Sequence, residues 1–163
     1  MNTARIARIV SLLNLILAGI TFINRKAPEV LNRAPMVTSA GTFGTTGDAA
    51  TGMVNALVWF LGFNGACEGS NYNNTVRVLN ACADFWCVVA RDATPESEGG
   101  NGVHDPRHTE VITVIRDAFL AIVQVVSFGA DDGVNGPMMR QSIRLSEAVR
   151  QHNLAAKRAK AAK

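Results

Sequence analysis

Between His108 and Phe128, the apolar residues Val111, Val114, Ile115, Ala118, Phe119, Ile122 and Val126 recur at intervals of three and four. A half-buried strand needs strict alternation, whereas this spacing draws one apolar stripe along several turns of helix. The segment is rich in Val, Ile and Thr, so propensity favours a strand. The period decides for helix, because propensity is a weak prior beside a face that can be buried. A chain holding such a helix must supply other helices or a sheet to cover it.

The rest of the chain supplies helices. Thr3 to Asn24 reads as a first helix, stopped ahead of Pro28, which disfavours helical backbone at Ala27. Glu29 to Asn32 is ambiguous, and Pro35 to Gly47 reads as an irregular connection with a short strand at Met36 to Thr38. Asp48 to Phe63 is the next helix, with Asp48 as its N-cap. Asn64 to Asn74 reads as a loop from its Gly and Asn content. Thr75 to Ala90 is a third helix, Arg91 to Pro106 a long polar loop, and His108 to Phe128 the fourth helix. After a turn at Gly129 to Pro137, Met138 to Lys160 is a last helix that fades into an Ala/Lys/Arg tail. The expected fold is all-α: an antiparallel four-helix bundle with an extra terminal helix or tail and at most a small sheet. It forms one domain over residues 1–163, with a basic tail from about 153.

Composition excludes several classes. With 48% hydrophobic and 18% charged residues, the chain is globular. Its net charge is only +3, and Arg150, Lys157, Arg158, Lys160 and Lys163 are concentrated near the end, so any anion-binding surface is local. Three cysteines without a CxxC pair support neither a disulfide framework nor a zinc module. The run Ile9 to Ile23 is interrupted by Ser11, Asn14 and Thr21, and falls short of the ~20 apolar residues that span a bilayer. A buried helix is the preferred reading, with a targeting or anchoring segment as the alternative.

Chemistry-bearing motifs are sparse. "GTFGTTGD" lacks the lysine of a phosphate loop, and "GADDGVNG" lacks the ligand spacing of a calcium loop. Cys87 falls among apolar residues, so a buried thiol outweighs a nucleophile served by His104 or His108. His152 reads as a solvated side chain of the basic helix. No catalytic residue, metal site, cofactor or small-molecule substrate is expected, and an enzyme is the least favoured class.

The polar face of the fourth helix carries Arg107, Glu110, Thr113, Arg116 and Asp117. Spacing alone makes it a solvated face with modest salt bridges. Its context adds a resemblance. Arg107, Glu110 three residues on, then Ile115, Arg116 and Ala118 before "FLAIVQVV" resemble the RNA-proximal helix of tobamovirus-like coat proteins from rod-shaped plant viruses. "NALVWFLGF" (Asn55 to Phe63) is similar to that family's core helix, and "NNTVRVLN" (Asn73 to Asn80), with Arg77, stands where the family has its Arg-bearing RNA segment. "MRQSIR" (Met139 to Arg144) resembles its near-terminal Arg-x-x-aromatic-acid motif. Ile143 replaces the aromatic, Arg144 replaces the acid, and Asn73 stands where the family places an Asp that pairs with the helix Arg.

The resemblance implies a distant member of that group: a bundle of four long helices that polymerises as a helical rod around single-stranded RNA. The expected partners are RNA and many copies of the same chain, in the virion and the host cytoplasm, with membrane contact not favoured. Arg77, Arg107, Glu110, Arg116 and Asp117 form the implied RNA-facing set. For Arg116 an internal salt bridge is an equal role. Asp92, Glu96 and Glu98 are either a carboxylate switch that resists assembly when ionised or a flexible acidic loop. The alternatives are a flexuous filamentous virus coat protein, a small membrane-anchored helical protein using residues 9–23, and a helical interaction module without nucleic acid.

Overall fold

The computed structural model describes residues 2–32, 37–38, 41–42, 46–63, 69–103 and 108–162. The architecture is all-α. In chain order come α1 (Thr3–Lys26), the short α2 (Pro28–Asn32), α3 (Thr46–Phe63), α4 (Gly69–Ala93), α5 (Thr109–Phe128) and α6 (Pro137–Ala161). The only paired strands among the described residues are β1 (Val37–Thr38) and β2 (Gly41–Thr42), antiparallel, with Val37 opposite Thr42 and Thr38 opposite Gly41.

The five long helices close a ring: α1 packs on α3, α3 on α4, α4 on α5, α5 on α6, and α6 back on α1, while α1 also touches α5. Cross-helix contacts give the directions. Tyr72 at the start of α4 donates to the Val126 carbonyl near the end of α5 (3.2 Å), and Thr109 opening α5 donates to the Ala93 carbonyl closing α4 (2.7 Å). These two helices are therefore antiparallel. Arg5 on α1 reaches Asp132 in the turn before α6, and Phe22 near the end of α1 lies 5.1 Å from His152, in the second half of α6. Thus α1 and α6 run the same way, and both run opposite to α5.

The α1 sequence explains its place. Ile9, Leu12, Leu13, Ile16, Gly19, Ile20, Phe22 and Ile23 are buried, while the interruptions Ser11, Asn14 and Thr21 are exposed. Its polar residues mark the outer face of an amphipathic helix. Gly19 permits a close approach, since a Cβ there would stand 3.1 Å from Ile115 Cδ1 on α5. By length and apolar composition alone, both α1 and α5 are capable of crossing a membrane, and about half of each is buried against its neighbours.

Asn2 caps α1 by accepting from the Arg5 amide (2.8 Å). At that end, Asp132 takes Arg5 Nε on one oxygen (3.2 Å) and Arg8 Nη1 on the other (3.1 Å), tying α1 to the α5–α6 turn. At the opposite end, α2 packs against α1, α3 and α4 with Val30 and Leu31 buried, and Phe22, His108 and His152 bring α1, α5 and α6 together.

The helix α3 starts at Thr46, so Asp48 lies inside its first turn and is not the N-cap that the sequence suggests. The larger departures from the periodicity reading are both at α4. The helix starts at Gly69, so "GSNYNN" is helical despite its turn-forming composition. The Tyr72 bond to α5 and the burial of Thr75 outweigh the tendency of Ser and Asn to leave a helix. It ends at Ala93, beyond Ala90, because Ala93 is buried and its carbonyl receives Thr109. The following segment is ordered by the same helix end. A 3₁₀ turn at Glu96–Glu98 leads to Asn101 and Val103, whose amides return to the carbonyls of Arg91 (2.9 Å) and Asp92 (2.8 Å). Gly100 is required there, since any Cβ would collide with the Thr94 carbonyl.

Phe119 is fully buried, so Phe119→Ala is expected to cost about 3–5 kcal/mol in urea unfolding. Ile143→Ala, at an exposed position of α6, should cost under about 0.5 kcal/mol. A second expectation concerns acid. Desolvation pushes the Asp132 carboxyl up, but the Arg5 hydrogen bond and the charges of Arg8 and Arg5 outweigh it and hold the group below its ordinary value. A depressed pKa means that this clasp stabilises the fold at neutral pH and is lost as pH falls through the folded value. Asp132→Asn should therefore flatten the dependence of Tm on pH below about 4.

Candidate nucleic-acid interface

The outer strip of α5 is narrow, because the buried residues Val111, Ile112, Val114, Ile115, Ala118, Phe119, Ala121, Ile122 and Val125 occupy most of its circumference. Glu110, Arg116 and Asp117 fall on what remains. Arg116 Nε and Nη2 both donate to Asp117 Oδ1 at 3.0 Å. Adjacent residues on a helix do not ordinarily face each other, so this pair is made by side chains bending sideways along the surface. The other Asp117 oxygen accepts from Arg144 Nη1 on α6 at 3.1 Å, and the same nitrogen donates to Gln141 Oε1 at 2.7 Å. One carboxylate therefore serves two guanidinium groups.

Arg116 pairs with Asp117, on the same helix, while Asn73 stands exposed on α4. Arg144, which occupies the position of an acid in the resembling motif, supplies the cross-helix cation.

On its other flank Arg116 lines a cleft of about 290 Å³ with Cys87, Arg91, Thr94, Glu98, Gly99 and Gly100. Two arginines and one glutamate meet there beside the ordered turn after α4. Cys87 is half-buried in this cleft, while burial pushes the Cys82 thiol well above its ordinary range. A cleft of this kind can take an anionic group against the guanidinium groups, with Glu98 as the opposing charge.

The remaining expected site residues divide. Arg77 is exposed on the outer face of α4, 14 residues before Arg91, which is about 21 Å of helix rise. It belongs to the Tyr72–Val126 end of the α4–α5 pair, and Glu110, exposed in the first turn of α5, belongs to the Ala93–Thr109 end. Arg107 lies outside the described residues. Of the acids, Asp92 Oδ1 accepts from the side-chain Nδ2 of Asn101 (2.9 Å), Glu98 lines the cleft, and Glu96 is exposed on the 3₁₀ turn. Among the described residues, no three His, Cys, Asp or Glu side chains converge as a metal site would require.

Sequence reasoning missed Arg91 and Arg144. Arg91 was placed in a loop, and its place on the last turn of α4 follows only from the extension of that helix to Ala93. The Arg144–Asp117 pair spans 27 residues and two helices, and neither periodicity nor motif marks it. No protein-family model, curated protein or solved structure matches the chain.

The Asp117 and Arg144 side chains are 24% and 48% exposed, so water screens their pairing. A double-mutant cycle of Asp117→Asn and Arg144→Gln should return a coupling of about 0.2–1 kcal/mol in urea unfolding.

Proposed function

We propose that this chain is a structural coat subunit that polymerises helically with copies of itself around single-stranded RNA, gripping phosphates through arginine. The observation that carries the reading is the surplus of guanidinium groups on both flanks of the outer α5 strip: Arg91 on α4, Arg116 on α5 and Arg144 on α6 stand against Asp117 and Glu98. Arginine recognises phosphate in a bidentate manner, and contacts of this kind position a strand without reading its sequence.

A second feature supports polymerisation. Large apolar side chains are exposed on several sides, among them Trp59 on α3 (51%), Phe128 ending α5 (72%), Val134 before α6 (74%) and Ile143 on α6 (63%). Apolar surface distributed in this way suits a subunit with neighbours in more than one direction. In this reading the four segments that resemble rod-shaped virus coat proteins fall on α3, α4, α5 and α6. Those helices serve as the four-helix bundle, with α1 as the additional member that closes the ring. The separation of Arg77 from Glu110 suits a strand laid along the subunit, with affinity accumulating over many copies. The places of action are the virion and the host cytoplasm.

Negative-stain microscopy of the purified protein across about pH 5–8, with and without single-stranded RNA, should reveal rods or stacked discs. A detergent-dependent monomer under every condition would refute the proposal and favour anchoring through residues 9–23. Arg77→Glu combined with Arg107→Glu should abolish RNA uptake while leaving the helical circular dichroism signal intact. Persistent uptake by that variant would move the RNA away from these residues.

A further inference from the structure

We infer that the end of α6, with the last turn of α1 beside it, is a second phosphate-binding surface for single-stranded RNA, separate from the α4–α5–α6 arginines. The placement follows from the parallel run of α1 and α6. Phe22, with its ring tilted against His152 at 5.1 Å, fixes their register, so both C-termini emerge at one end of the ring. Arg25 and Lys26 occupy the last turn of α1, and Lys157, Arg158 and Lys160 follow on α6, all exposed.

Elsewhere among the described residues, five arginines are matched to acids, and Arg77, Arg91 and Arg140 stand apart from one another rather than gathered at one end. Asp132 holds Arg5 and Arg8, Asp117 holds Arg116 and Arg144, and Glu147 holds Arg150 at 2.7 Å. Among the described residues, no acid lies within ion-pair distance of Arg25, Lys26, Lys157, Arg158 or Lys160, and α6 carries no acid after Glu147. The acids belonging to that end are Glu29 on α2, Glu110 on α5, and Asp92, Glu96 and Glu98 around the 3₁₀ turn. The helix carries its own cations away from them, because from His152 to Ala161 it rises about 14 Å. Residues 157–162 are exposed throughout.

The composition of this end selects its partner. Ala, Lys and Arg sustain a helix without a buried face, and cations at its C-terminus are favoured by the helix dipole. Leu154 is the last large apolar residue, so the terminal turns have no hydrophobic face to sink into a bilayer, which peripheral membrane helices need. No exposed aromatic residue accompanies the cations on these turns, so bases find nothing to stack on there. What remains is a cluster of exposed cations spread around the last turns of the helix, the chemistry of sequence-independent phosphate contact. The choice of single-stranded RNA over another polyanion rests on the coat-subunit reading.

The test uses the full chain and a 20-nucleotide poly(U) probe read by fluorescence anisotropy over ~50–200 mM salt. Lys157→Gln, Arg158→Gln and Lys160→Gln together preserve helix propensity while removing three charges. Each lost single-strand phosphate contact lowers the slope of log K against log salt by about 0.7, so the triple variant should lose about 2 units of slope. Equivalently, the wild type should lose about 20-fold more affinity than the variant between those two salt concentrations. Adding Arg25→Gln and Lys26→Gln should remove roughly a further 1.4 units.

An unchanged slope in the triple variant overturns the inference. So does binding to vesicles rich in phosphatidylserine that the triple variant loses while its poly(U) slope is unchanged. The coat-subunit reading is judged separately, by whether wild type and triple variant both form rods or discs when poly(U) is absent. Assembly with a reduced salt slope supports both proposals, whereas assembly with an unchanged slope removes only this one. A wild type that neither assembles nor binds poly(U) removes both.

Discussion

Burial of α5 organises the molecule. Its apolar residues cover so much of the helix that no single partner can satisfy them, and the chain surrounds it with α4 on one side, α6 on the other and α1 behind. That demand accounts for the ring and for the glycine on α1 that lets Ile115 approach. It also accounts for the location of charge. A helix with nine buried residues has one strip left for polar groups, so Arg116 and Asp117 are crowded together and resolve their pairing along the surface.

Where local sequence and tertiary packing agree, the structure was legible in advance. The period of α5 outweighed its β-branched residues because an apolar stripe facing three neighbours is worth far more than a few tenths of a kcal/mol of propensity per residue. The polar interruptions of α1 could likewise be read as an outer face. The ends of α4 were not legible, because they depend on single long-range contacts. Tyr72 holds a Gly/Ser/Asn segment in helix by reaching α5, and Thr109 recruits the Ala93 carbonyl from 16 residues away. Turn propensity is a local quantity and carries no information about either bond.

The candidate site divides along the same line. Arg116 and Asp117 are visible in the sequence as charged residues opposite the apolar stripe, with Arg116 open between RNA and an internal bridge. Their true geometry depends on Arg144, which a helix-by-helix reading cannot place, and on Arg91, whose position rests on the length of α4. The conformation of the acidic segment was equally hidden. It looks like a loop by composition, yet its amides return to the last carbonyls of α4, which exchanges unsatisfied helix-end groups for an ordered turn.

A ring of five long helices cannot alternate direction all the way round, and the mismatch falls between α1 and α6. Thr3 and Ala161 consequently sit at opposite ends of the molecule, separated by at least the length of α1, whose 24 residues rise about 36 Å. Joining them to make a circular permutant would require a linker of no fewer than about 11 extended residues. Tags placed before α1 and after α6 would label two different ends of the molecule.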